Sequence, residues 1–294
     1  MESILVQLQK IRARQEMRSF LKVINDNKDN KCIEETLIFK ALKLISESGE
    51  FDTVLSEKRV YYRSRGIDLT QKDQIIGHGI SVYGKEMKTS GFDKYGSKEP
   101  PIGIASNARN NVHGMGYLYL SEDEYTACAE IKPTSDMFIS LAKFEIAKPL
   151  TVIDLLTNKR IEQTEKFHNE YKIYPAFLIT EVMNLFTVNK SDEVYATTQF
   201  ISDYFRKCGY GGIRYKSALT GKGNLTIFNS DERFIHFISS KIVYCSRPMY
   251  SLINLDDSKE IQQSDKEGPD ILKLKEDLRY TLERIDKESE RNAN

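Results

Sequence analysis

Ile4, Leu5, Leu8 and Ile11 recur at helical spacing near the start of the chain, and Phe20, Leu21 and Ile24 continue the pattern. Apolar side chains three and four residues apart share one helix face, so residues 1 to about 50 are predicted helical. A polar run from Asn25 to Asn30 divides the segment. Ile33, Leu37, Ile38, Leu42 and Ile45 then mark a second helix, closed by Gly49. The period changes to two at Val60, where Tyr61, Arg63 and Arg65 fall on one face of a predicted strand. Further strands are expected over Tyr117 to Leu120, Phe138 to Ile146 and Thr151 to Leu155. Ser121-Glu122-Asp123-Glu124 has the spacing of a capping box, opening a helix that runs to Ile131 and stops before Pro133. Residues 158–207 read as mostly helical. Gly212 to Lys216 and Asn224 to Phe228 read as a strand pair around Gly221-Lys222-Gly223. A narrow stripe of Ile271, Leu274, Leu278, Leu282 and Ile285 predicts an amphipathic helix in a highly charged tail. The pattern is that of an α+β protein in three parts: a helical appendage over 1–56, a mixed-sheet body over 57–250, and a tail over 251–294.

Bulk composition narrows the chemistry. With 294 residues the chain is long enough to bury a core, and its 43 basic and 43 acidic residues cancel. A neutral molecule offers no global field for nucleic acid or anionic lipid, so neither is expected as a partner, and positive charge at a site must be local. Cys32, Cys128, Cys208 and Cys245 stand apart without a Cys-x-x-Cys pair. That spacing favours a reducing cytoplasm and speaks against a disulfide framework or structural zinc. Met1-Glu2-Ser3-Ile4 lacks a basic region followed by an apolar run, so no secretion signal is expected. The apolar stretch from Ile173 to Val188 is broken by Pro175, Glu181 and Asn184, and is too short and polar to span a bilayer.

Candidate chemistry lies in separated segments. Arg63, Arg65 and Arg109 offer planar forks of donors that match phosphate oxygens. Tyr119 offers a ring to stack on a flat heterocycle and a hydroxyl to orient it. Glu130 follows the small residues Ala127, Cys128 and Ala129; a carboxylate there can stabilise the cation that develops as a glycosidic bond breaks. Ser217 ends a predicted strand before a glycine-containing loop, where side chains point at ligands. A Gly-x-Ser-x-Gly elbow is absent, which argues against serine hydrolase chemistry. Gly221-Lys222-Gly223-Asn224 lacks the residues of a phosphate-binding P-loop, and Gly77-His78-Gly79 lacks a dinucleotide-fold context.

Taken in order, these segments resemble the RES domain, a family named for its arginine, glutamate and serine, known from bacterial toxin–antitoxin pairs and similar in fold to ADP-ribosyltransferases. The resemblance spans roughly residues 58 to 240. It rests on Tyr62-Arg63-Ser64-Arg65, Pro100-Pro101, Arg109-x-Asn111-x-x-Gly114, Leu118-Tyr119-Leu120, Thr126-Ala127-x-Ala129-Glu130, Val152-Ile153-Asp154-Leu155, Gly212-x-x-Tyr215-x-Ser217 and Gly223-Asn224. The resemblance implies an NAD-consuming enzyme that splits the nicotinamide–ribose bond by phosphorolysis or hydrolysis, with NAD as substrate and phosphate as a co-substrate. Two alternatives are a protein mono-ADP-ribosyltransferase and a catalytically silent nucleotide-binding module. Carried over by motif, the catalytic residues are Glu130, Arg63 and Ser217. Arg63, Arg65, Arg109, Tyr119, Ser217 and Asn224 form the NAD site, and no metal is implied. Arg63 is preferred to Arg65 as the family arginine because it directly follows the tyrosine. Asn111 and Asn224 are expected to shape loops. Asn110 departs from the family's usual Phe or Met, which bears on the packing of that loop. Partners implied are NAD, an antitoxin or other regulatory protein, and a second copy through the terminal helices. The extra segments at both ends point to a longer subfamily.

Overall fold

The computed structural model describes residues 3–26, 29–67, 91–135, 137–156, 164–187 and 192–245, with a small pairing of Leu252–Ile253 and Glu260–Ile261 beyond them. The tail stripe from Ile271 to Ile285, and the Gly77-His78-Gly79 segment, lie outside the described residues. Three helices open the chain: α1 (Ile4–Asn25), α2 (Asn30–Glu34) and α3 (Leu37–Ser48). Each starts at a side chain that accepts from a free backbone N–H: Ser3 from Val6, Asp29 from Cys32 and Thr36 from Phe39. Gly49, at φ +69°, ends α3 in the left-handed conformation that lacks a steric cost only for glycine.

The strands β1 (Asp52–Leu55) and β2 (Val60–Gly66) follow, then a short α4 (Lys94–Ser97), β3 (Leu118–Ser121), α5 (Glu124–Glu130), β4 (Met137–Ile146) and β5 (Leu150–Leu155). Helices α6 (Thr164–Tyr171), α7 (Pro175–Leu185) and α8 (Asp192–Lys207) precede β6 (Gly212–Lys216), β7 (Gly223–Ile227) and β8 (Ile235–Cys245). The strands form one eight-stranded sheet in the order β1-β5-β6-β7-β3-β2-β4-β8. Only β5 and β6 run parallel; the other neighbours are antiparallel. A parallel pair needs a crossover, and α6 to α8 supply it. The chain is thus α+β with a mixed sheet and N-terminal helices.

Each sheet face has its own core. On one, Ile153, Leu155, Ile213 and Tyr215 meet Leu178, Ile179 and Val182 of α7, Ile201 and Phe205 of α8, and Met17, Phe20, Ile38, Leu42 and Ile45 of the N-terminal helices. The N-terminal segment therefore shares a single core with the crossover helices. The other face gathers Leu55, Tyr61, Leu118, Leu120, Phe144, Val152, Leu225, Ile227 and Ile235. These come from both edges and the centre of the sheet, so the sheet is rolled over this face.

Helix α1 turns a different arc inward from the one its most apolar residues suggest. Ile4, Leu5, Leu8 and Ile11 are 77%, 60%, 57% and 52% exposed, whereas Gln9, Ala13, Met17 and Phe20 are buried. The polar Gln9 is the anchor. Its amide donates to Lys172 O at 3.3 Å and accepts from Tyr174 N at 3.1 Å, tying α1 to the turn before α7. The capping residue of α5 also differs from the capping-box reading. Asp123 accepts from Thr126 N at 2.8 Å, and Ser121 is the last residue of β3 with its hydroxyl turned elsewhere.

Candidate active site

The site forms where the sheet opens. Strands β3 and β7 pair over four positions, but β2 and β3 share only Tyr62↔Ser121 before they part. Successive side chains on a strand alternate, so Tyr215, Asn224, Ser121 and Tyr62, opposite one another in register, lie on one face. That is the helix-covered face. The crossover helices occupy its β5–β6 half and α5 lies against β2 and β3. Beside α5 is a cavity of about 270 Å³, lined among others by Tyr62, Arg63, Tyr119, Glu130, Tyr215 and Asn224. Its size lies just below the roughly 300–1,000 Å³ of small-molecule sites.

Glu130 ends α5 at the cavity. Ser217 Oγ and Asn224 Nδ2 both donate to its Oε1, each at 2.7 Å, which leaves Oε2 for the cavity. The Ser217 hydroxyl accepts from Leu219 N and Thr220 N, both at 3.2 Å, so its own proton is directed at Glu130. Asn224 is placed by the β3–β7 register opposite Ser121, whose Oγ donates to Asn224 Oδ1 at 2.7 Å. Asn224, expected to shape its loop, is thus bonded to the carboxylate itself.

Arg63 occupies the opening between the strands. Its Nη1 donates to Tyr119 O at 3.2 Å, while its Nε is buried with no partner among the described residues. Burial, with repulsion from Arg65, lowers its pKa to about 10; Glu99 and Tyr119 act the other way. The guanidinium therefore stays charged near neutral pH and carries an uncompensated desolvation cost that an anion would relieve. Arg65 donates to Lys98 O at 2.6 Å, and burial lowers its pKa too, opposed by Glu99. Glu99 is itself held by the Ser230 hydroxyl. Arg63 lines the cavity; Arg65 stands behind it.

Tyr119 is tied through its hydroxyl. It donates to Asn111 Oδ1 at 2.7 Å and accepts from Asn110 N at 2.9 Å, and burial pushes its pKa well above the ordinary tyrosine value. Asn111 shapes the loop, donating also to Ser106 O and Val112 O. Asn110 is buried against the sheet and α8, donating to Thr226 Oγ1 and accepting from Ser202 Oγ. A polar side chain fills the place of an apolar one because two hydroxyls await it. Arg109 points away from the cavity wall, donating to Leu185 O at 3.1 Å, with its guanidinium 5.8 Å from the Tyr195 ring centroid. Helix α8 fixes its backbone through Thr198 Oγ1 on Arg109 O, and through Gln199 Nε2 on Ala108 O and Asn111 O.

Comparison with known proteins decides the family. The model of the RES domain matches residues 90–244, or 155 of the 294 residues. The chain belongs to the RES domain family. The match holds Arg109, Tyr119, Glu130, Ser217 and Asn224, while Arg63 and Arg65 precede it. Among solved structures, a chain of the M. tuberculosis MbcT–MbcA toxin–antitoxin complex is similar at 11% identity, with TM-score 0.40, over 70% of this chain and 93% of that one. No curated protein matches the chain.

Ser121, Tyr62 and Tyr215 line the cavity of this RES site, and the sequence reading gives none of them a role, although Tyr62 and Tyr215 stand in the RES motifs. Ser121 was masked by its resemblance to a helix cap. Tyr215 was within reach, because it is two residues before Ser217 on the same strand and so on the same face. Burial pushes Tyr215 up to about 12, keeping it neutral beside the carboxylate. The described residues include no helix long and apolar enough to cross a membrane, and no cluster of three potential metal ligands.

Proposed function

We propose that this RES protein is an NAD-degrading enzyme that breaks the nicotinamide–ribose bond, and that it acts as a toxin restrained by a partner protein. The observation that carries this reading is the Glu130 carboxylate, with both its donors on Oε1 and Oε2 left to a cavity that Arg63 also lines. As the bond to nicotinamide lengthens, positive charge grows on the ribose, and a fixed carboxylate beside it favours that state over the ground state. Arg63 would hold a phosphate, either of the dinucleotide or of an attacking inorganic phosphate, through its partnerless Nε and remaining fork. Tyr119, Tyr62 and Tyr215 give flat walls for the nicotinamide end. Arg109, whose fork lies outside the cavity, would meet the more distant part of NAD. Restraint by an antitoxin is supported by the family's known setting in toxin–antitoxin pairs.

Purified protein incubated with NAD tests the reading. Nicotinamide should be released, with ADP-ribose in buffer alone and ADP-ribose-1″-phosphate when inorganic phosphate is present. ADP-ribose adducts on protein by mass spectrometry would shift the assignment to a transferase. Intact NAD after prolonged incubation with folded protein would overturn it.

A further inference from the structure

The structure assigns Ser121 a role as a positioning residue that acts on Glu130 through Asn224; this rests on the reading of Glu130 as the charge-stabilising group. The three residues form a directed chain. Ser121 Oγ donates to Asn224 Oδ1 at 2.7 Å, and Asn224 Nδ2 donates to Glu130 Oε1 at 2.7 Å. An amide has one accepting and one donating end of nearly the same shape, so its orientation depends on its neighbours. Glu130, when ionised, only accepts. Were the Asn224 amide reversed, its carbonyl would face that carboxylate and repel it. Ser121 reinforces the orientation the carboxylate favours, by donating to the carbonyl end and so holding the NH₂ end toward Glu130.

Burial makes the arrangement stiff. Ser121 is 4% exposed and Asn224 5%, and the two are directly opposed in the β3–β7 ladder, so no large movement is open to either. Ser217, the second donor to Oε1, has its orientation fixed separately by Leu219 N and Thr220 N. Each donor to the carboxylate thus has a fixing group of its own, and Ser121 is that group for Asn224. The charge is held in place before substrate arrives, which is what electrostatic stabilisation requires.

Two measurements test this. In NMR spectra of the side-chain amides, the Asn224 NH₂ pair should show one proton shifted downfield by the carboxylate. Ser121→Ala should collapse that shift, and Ser121→Thr, which restores a hydroxyl in a strand-favouring residue, should return it. In steady-state turnover of NAD, Ser121→Ala should lower kcat about tenfold, the scale of one hydrogen bond to a charged group, with KM within about twofold. Adding Ser121→Ala to Asn224→Ala should cost nothing further. An unmoved amide signal in folded Ser121→Ala would overturn the proposal. So would equal, additive losses in both backgrounds, which would make Ser121 a packing residue. Wild-type protein that leaves NAD intact would instead overturn the functional reading, and the amide spectra would still decide whether Ser121 orients Asn224.

Discussion

Glu130 and Arg63 make opposite demands on solvent. Glu130 is exposed to the cavity and satisfied on one oxygen, so Glu130→Gln should fold normally. It should nevertheless lose at least ~100-fold in kcat, the scale of removing one electrostatic stabiliser, measured with matched melting temperatures. Arg63 is buried with an unpartnered Nε, so it should respond to anions. Inorganic phosphate or ADP-ribose should raise the melting temperature of wild-type protein and leave Arg63→Ala unmoved. Affinity for ADP-ribose should fall by ~1.5–3 kcal/mol in Arg63→Ala, with lysine restoring only part, because a point charge does not reproduce the fork. The sign of the pH effect follows from the pKa of about 10: the charged form is the one the fold disfavours, so from about pH 10 up to the ordinary arginine value protein stability from this group rises with pH. Anion-induced stabilisation should fall over the same range, which melting curves at pH 8 and 10.5 can follow. At this scale the sequence was informative where chemistry restricts residue type: two arginines flanking a serine, a glutamate behind small residues, a serine after a strand. It was silent on the part of Ser121, which comes from cross-strand register, a property of two segments together.

Among elements, the junction of β6 with β5 and the β3–α5 turn is held by charge. Arg214 pairs with Asp154 at 2.9 Å and with Glu122 at 2.6 Å, and Arg59 reaches the same Glu122 oxygen at 3.1 Å. Arg214 and Asp154 are 18% and 6% exposed, so removing the cation leaves carboxylates poorly solvated. Arg214→Ala should cost about 3 kcal/mol in urea unfolding, the lower end for breaking a buried pair. Gly212 permits the close approach of β6 to β7, for a Cβ there would strike the Thr226 carbonyl. Most strands were legible from their period and their flanking glycines and prolines. Two were not. β1 is only four residues long, and β8 carries a register shift opposite Lys143/Phe144 that turns Ile238 outward and blurs its alternation.

For the molecule as a whole, the N-terminal helices are structural partners of the site. Phe20, Ile38, Leu42 and Ile45 are fully buried against α7 and α8, each worth roughly 1.5–3 kcal/mol of burial. Helix α8 in turn carries Thr198, Gln199 and Ser202, which hold the Arg109 loop. Removing residues 1–50 should therefore give insoluble or molten protein, seen as loss of a cooperative thermal transition. Composition and period could show that these helices exist and are amphipathic. They could not show the docking arc, because Gln9 and Ala13 decide it through fit and hydrogen bonding to the turn at Lys172 and Tyr174.

The separation of the site along the chain sets when the site can form during synthesis. Ser217 lies 87 residues after the carboxylate it orients, and Asn224 lies 94 after it. At roughly 5–20 residues per second, a ribosome needs several seconds to pass from one to the other. Throughout that interval, and until β6 and β7 clear the exit tunnel and join β3, a nascent chain holds Glu130 without its donors. The carboxylate and its two donors come together only after β7 has been made, so chains terminated before Asn224 lack the assembled site.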